Sequence, residues 1–133
     1  MAGSVTWNGD AAMKKLKAEM GRRLDACGIL TTNHVRQMIS IEGAGKATGK
    51  RGKLIYGANP SAPGSPPHKQ TGRLAASMAW ERDGLVARVG TAVKYGPWLE
   101  MGTSRMAARP FLHRALNEMT PRIRAILSKP MDF

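Results

Sequence analysis

The chain has little with which to perform redox, metal or acid–base chemistry. A single cysteine, Cys27, excludes an internal disulfide and fits a reducing compartment. The three histidines, His34, His68 and His113, do not cluster with Cys27 at any metal-binding spacing. His34 lies in a helical region and is expected to be structural. Only nine Asp and Glu occur in 133 residues, scattered rather than paired, so a general acid–base couple is not indicated. There is no H-E-x-x-H, no nucleophile elbow and no G-x-G-x-x-G following a strand. The expectation is no enzyme, no catalytic or metal residue and no cofactor. No apolar run approaches the roughly 20 residues needed to span a bilayer. The segment Met1–Lys15 lacks the apolar core of a signal peptide. No membrane contact is expected, and a cytoplasmic location is.

Scarcity of acids leaves a large positive charge. Twenty-one Lys and Arg against nine Asp and Glu give +12, with a pI near 10.8. So large an imbalance is costly in self-repulsion unless an anionic partner offsets it, and nucleic acid is the leading candidate. The length suits one domain with one modest core, 1–133.

Three regions follow one another. From about Asp10 to Ile41, apolar residues at Leu16, Met20, Leu24, Cys27, Leu30, Val35, Met38 and Ile39 fall three and four apart, which predicts a long helix. Asp10 is its expected N-cap. Gly21 and Gly28 weaken it by about 1 kcal/mol each relative to Ala, and a bend or break is expected near Gly28–Asn33. The segment 42–71 is too dense in Gly and Pro for a regular element. No acid occurs between Gly43 and Trp80. Lys46, Lys50, Arg51, Lys53, Lys69 and Arg73 therefore make a basic extended loop, suited to DNA or to a neighbouring subunit. Its string EGAGKATGKRGK does not meet the phosphate-loop pattern, because Ser40 stands five before Gly45 and Ala47 follows Lys46.

The third region opens with two short runs, Leu74–Glu81 and Leu85–Gly90, joined by Arg82-Asp83-Gly84. Asp-Gly between apolar runs predicts a hairpin, with Leu85, Ala87 and Val89 on one face. A last helix is expected to start near Pro110, a first-turn position that suits proline. Its apolar stripe runs Phe111, Leu112, Ala115, Leu116, Met119, Ile123, Ile126 and Leu127. Pro121 either kinks it, or Thr120 caps a second piece. The predicted class is α+β: a small antiparallel sheet packed by a long N-terminal and a C-terminal helix, with the long basic Gly/Pro-rich loop projecting from it.

The most distinctive stretch is Tyr95–Leu112, YGPWLEMGTSRMAARPFL. Tyr95, Trp98, Glu100, Gly102, Thr103, Arg109, Pro110 and Phe111 are its candidate structural and assembly residues. Glu100 is the only acid between Gly84 and Asn117, so a Glu100–Arg109 pair is expected to fix the turn. Gly102 is a candidate C-cap glycine.

Read in order, a Pro-rich approach Ser61–Pro67, the step Thr71-Gly72-Arg73-Leu74 and a strand pair lead into the aromatic turn. That turn ends Glu100-Met101-Gly102-Thr103 and is followed by Ala108-Arg109-Pro110-Phe111-Leu112. In this the chain resembles the small neck, or tail-completion (head-tail joining), proteins of long-tailed double-stranded DNA bacteriophages, over about residues 45–117. The resemblance implies a virion structural protein at the head-tail junction: a homo-oligomeric ring, six-fold with twelve-fold the alternative. Its partners would be the head-closure and portal-side proteins and the tail terminator or tail tube, with genomic DNA contacted without reading its sequence. Two other functions compete: a tail-terminator ring capping the tube, and a free non-specific DNA-binding protein.

Overall fold

A computed structural model of the chain describes residues 3, 6–41, 64–67 and 72–131. The elements run in the order α1 (Gly9–Met38), α2 (Arg73–Ser77), β1 (Met78–Asp83), β2 (Val86–Thr91), α3 (Gly96–Met101) and α4 (Leu112–Leu127). Among the described residues, helices and one two-stranded antiparallel sheet make an α+β fold, with α1 packed against both α4 and the sheet. The expected basic loop, 42–71, lies outside the described residues apart from 64–67.

Helix α1 is unbroken across Gly28–Asn33, contrary to the expected bend. The reason is packing. Gly28 lies against the Trp80 ring of β1, where a Cβ would come within 2.7 Å of ring carbon, and Gly21 lies under the Arg82 guanidinium. The glycines that weaken the isolated helix are the sites where strand side chains cross it. Burial of Cys27, Thr31, Thr32 and Val35 offsets the propensity loss. The N-cap is Asn8, not Asp10; Asp10 sits in the first turn, where its charge still suits the helix dipole.

The run Leu74–Glu81 divides in two. Gly72, at φ +78, turns the chain into the single turn α2, and the strand starts only at Met78. One helical turn brings Leu74 and Ala75 against the core. The hairpin forms as expected, but its loop is Gly84-Leu85 rather than Arg82-Asp83-Gly84, so Leu85 stands exposed in the loop and does not share the packed face with Ala87 and Val89. Asp83 pairs with Val86, and Gly84 at φ +59 takes the first of the two loop positions, a left-handed value such tight loops favour. Trp80 pairs with Val89 and Arg82 with Ala87, which puts these four on one face. That face meets α1: the Arg36 guanidinium donates to the Met78 carbonyl at 2.6 Å, and Arg82 donates to Asp25 at 2.6 Å.

The core is small: Val35, Ile39, Met78, Phe111 and Ala115, flanked by Met38, Leu74, Ala75, Val89, Leu99 and Leu112. Helix α4 continues through Pro121. The Thr120 hydroxyl donates back to the Leu116 carbonyl at 2.7 Å instead of capping a second helical piece. The helix begins at Leu112 with Phe111 as cap residue, so Pro110 precedes the cap and is not in the first turn. Its far end is held by Arg23 of α1, which donates to the carbonyls of Leu127, Lys129 and Pro130; a cation there complements the helix C-terminus.

Candidate functional site

The stretch singled out in the sequence folds into one unit. Tyr95 is the cap residue of α3, Pro97 occupies its first turn, and Gly102 ends it, with its N–H donating to the Trp98 carbonyl at 2.8 Å. Gly102 adopts φ +77, ψ 174, a region open essentially to glycine alone. A Cβ there would also meet Ala108 N at 2.8 Å and Met106 O at 2.9 Å. Conformation and space both demand glycine. The chain then reverses through a Thr103–Met106 bridge, and the Arg109 N–H donates to the Leu99 carbonyl at 2.6 Å. The Pro-rich approach docks on the same turn through Gly64 N–H to Ala108 O at 2.9 Å.

Glu100 is the lock, and its geometry is specific. Its carboxylate accepts the backbone N–H groups of Phe111, Leu112 and His113, each at 2.9 Å. These are amides that a helix N-terminus leaves without an intrahelical acceptor, and a negative charge there also meets the positive end of the helix dipole. The expectation placed the lock between Glu100 and the Arg109 side chain; the acid binds the start of α4 itself. Its isolation among arginines was legible in sequence, but not that three backbone donors would converge on it.

With the turn fixed, Trp98 and Met101 stand outward, 58% and 76% exposed. Spacing of three on a helix puts them side by side, while Leu99 packs on the core. Sequence reading named Trp98 but missed Met101; the three-residue spacing was the available signal. A separate open groove of about 470 Å³ lies between α1, β2 and α4. Leu24, Cys27, Thr31, Val89, Leu116 and Ile123 line it, so it is predominantly apolar. Burial pushes the Cys27 thiol up from its ordinary pKa, which makes it a poor nucleophile at neutral pH.

Of the basic residues proposed as a DNA or ring contact, Lys46, Lys50, Arg51, Lys53 and Lys69 lie outside the described residues. Arg73 opens α2 on an exposed surface. Elsewhere the acids are largely engaged: Glu19 with Arg22 and Arg23, Asp25 with Arg82, Glu81 with Arg88, and Glu118 with His34 and Arg114. Lys14, Lys15, Lys17, Lys94, Arg122 and Arg124 have no ion pair among the described residues, and this leaves the positive field uncancelled. His34 is structural as expected: its Nε2 meets Glu118 Oε2 at 2.7 Å and ties α1 to α4.

Among the described residues no group of three or more His, Cys, Asp or Glu could hold a metal ion. No helix among them is long and apolar enough to cross a membrane. No protein-family model, curated protein or solved structure matches the chain.

Proposed function

We propose that the chain is a structural subunit of a phage head-to-tail neck ring, which joins the portal and head-closure complex to the tail and surrounds the DNA channel. The observation that carries this reading is the rigid Tyr95–Phe111 turn. Glycine geometry and the Glu100 cap fix it, and it displays Trp98 and Met101 to solvent. Aromatic and Met side chains are enriched at protein interfaces, and a locked turn presents them without an ordering cost on binding. A ring needs two different patches per subunit, one meeting the other on the next copy. The Trp98–Met101 projection and the α1–β2–α4 groove are two such patches. Uncancelled positive charge suits a lumen filled with DNA, where contacts to phosphate need no sequence information. The subunit is placed in the virion after assembly in the host cytoplasm, as a hexamer with a dodecamer the alternative.

A tail-terminator ring would use the same surfaces at the other end of the junction. Immunogold labelling of virions from the encoding phage tests the proposal. Gold at the head-tail junction supports it; gold along the tail, or none on virions, contradicts it.

A further inference from the structure

We infer that Trp98 and Met101 of one copy of this chain seat in the α1–β2–α4 groove of the next copy, head to tail. The inference rests on the ring reading above, which makes a second copy the partner, and it names the residues of the contact.

The projecting side chains are apolar and held in place. Trp98 and Met101 are largely exposed on α3. Gly102 ends that helix, and Glu100 between them is bound to the start of α4. A pair presented on a fixed turn loses little freedom on docking.

Three features make the groove its socket. First, the lining contains no Lys, Arg, Asp or Glu. Each copy carries +12, so copies meet at least cost where charges are absent. The cavity beside His34 is lined by Arg114 and Glu118, and the cavity beside α2 by Arg73 and Lys94. An apolar side chain entering either would take a charge out of water. Second, the groove's volume of about 470 Å³ falls within the range of about 300–1,000 Å³ typical of sites that enclose compact ligands. Third, α3 contributes no residue to the lining, so a copy does not fill its own groove with its own Trp98. Projection and groove are different patches. They make the heterologous contact that a ring repeats, not the self-complementary contact of a two-fold dimer.

Area sets the strength. An aromatic side chain buries about 150–250 Å², so this pair falls short of the roughly 800 Å² per partner of a standard interface. The contact is an anchor within a larger surface, and free copies are expected to associate only when concentrated.

The test is photocrosslinking of the full chain. Isotopically heavy copies carry p-benzoylphenylalanine in place of Trp98 and are mixed with light copies. Crosslinks from heavy to light copies are expected at groove residues such as Cys27, Val89 and Leu116. Trp98→Ala and Leu116→Lys change exposed side chains on the two sides, and circular dichroism confirms that each variant is folded. Each should weaken association by about tenfold or more in sedimentation. The double variant should lose no more than the worse single one, because both act on one contact. A mixture of the two single variants should recover a dimer and nothing larger, since each such pair retains one Trp98 and one intact groove. Crosslinks confined to one copy, crosslinks outside the groove, no crosslink at the highest concentration reached, or additive losses in the double variant would each overturn the inference. The phage separates it from the neck reading. If Trp98→Ala restores joined virions as well as the intact chain does, this contact falls and the neck reading stands. If the crosslinks map to the groove but no gold marks the head-tail junction, the contact stands and the neck reading falls.

Discussion

Replacing Glu100 by Gln removes one charge while keeping the shape of the side chain. In the native turn the carboxylate accepts three backbone N–H groups at 2.9 Å. Gln retains one carbonyl oxygen and turns an NH₂ group toward donors that it cannot accept, so at least one bond is lost outright. A hydrogen bond to a charged group contributes about 1.5–3 kcal/mol, and the charge–dipole term at a helix N-terminus about 0.3–1 kcal/mol. Taking the low end of the first and the middle of the second gives about 2 kcal/mol. For a domain of this size that lowers the melting temperature by about 6–10 °C. Glu100→Asp keeps the charge but shortens the reach and should recover part of the loss. Thermal melts followed by circular dichroism give the stability. Hydrogen exchange gives the location, because the amides of Phe111, Leu112 and His113 should lose protection before the rest of α4. A Gln variant that melts within 1 °C of the parent, with those amides still protected, would refute the capping argument.

Other perturbations probe separate parts of the account. Gly102→Ala combines a backbone region that costs about 1–3 kcal/mol for other residues with overlap onto Ala108 and Met106. It should destabilise by more than 2 kcal/mol, whereas Gly84→Ala, with nothing within 4 Å, should cost about 1 kcal/mol; equal losses in denaturant melts would refute the packing argument. Gly28→Ala gains about 1 kcal/mol of helix propensity but drives a methyl into the Trp80 ring, which typically costs about 1–3 kcal/mol. The net loss should turn into a gain when Gly28→Ala is made in a Trp80→Leu background, and a loss in both backgrounds would contradict the account. Hydrogen bonds from His34 and then Arg114 hold Glu118 below its ordinary pKa of 4.5. Its contribution is therefore complete above that value and is lost as pH falls through the lowered one. Glu118→Gln should reduce the drop in melting temperature between about pH 5 and about pH 3; an unchanged drop would show that the His34–Glu118–Arg114 contact contributes nothing.

Periodicity and turn chemistry made the long first helix, the hairpin and the last helix legible in the sequence. Those signals are local: threes and fours along α1, Asp83-Gly84 between apolar runs, and the stripe from Phe111 to Leu127. What was not legible was set by contacts between distant residues. Gly28 reads as a helix weak point until Trp80, more than fifty positions away, is seen resting on it. The run at Leu74 reads as strand because its composition is apolar; only the core explains why Arg73–Ser77 coils into a single turn. Glu100 was conspicuous as a lone acid, but an arginine partner is the default expectation for such a residue. A helix N-terminus as partner depends on where the chain returns after Gly102. The basic segment that supplies much of the charge lies mainly outside the described residues, so the structure adds only its end at Arg73 to the sequence reading.

The proposal that the chain joins head to tail is tested most directly by inactivating its gene in the encoding phage and imaging the lysate by electron microscopy. The account predicts DNA-filled heads and separate tails, with joined particles restored when the intact chain is supplied from a plasmid. Complete, infectious virions in its absence would contradict the central claim.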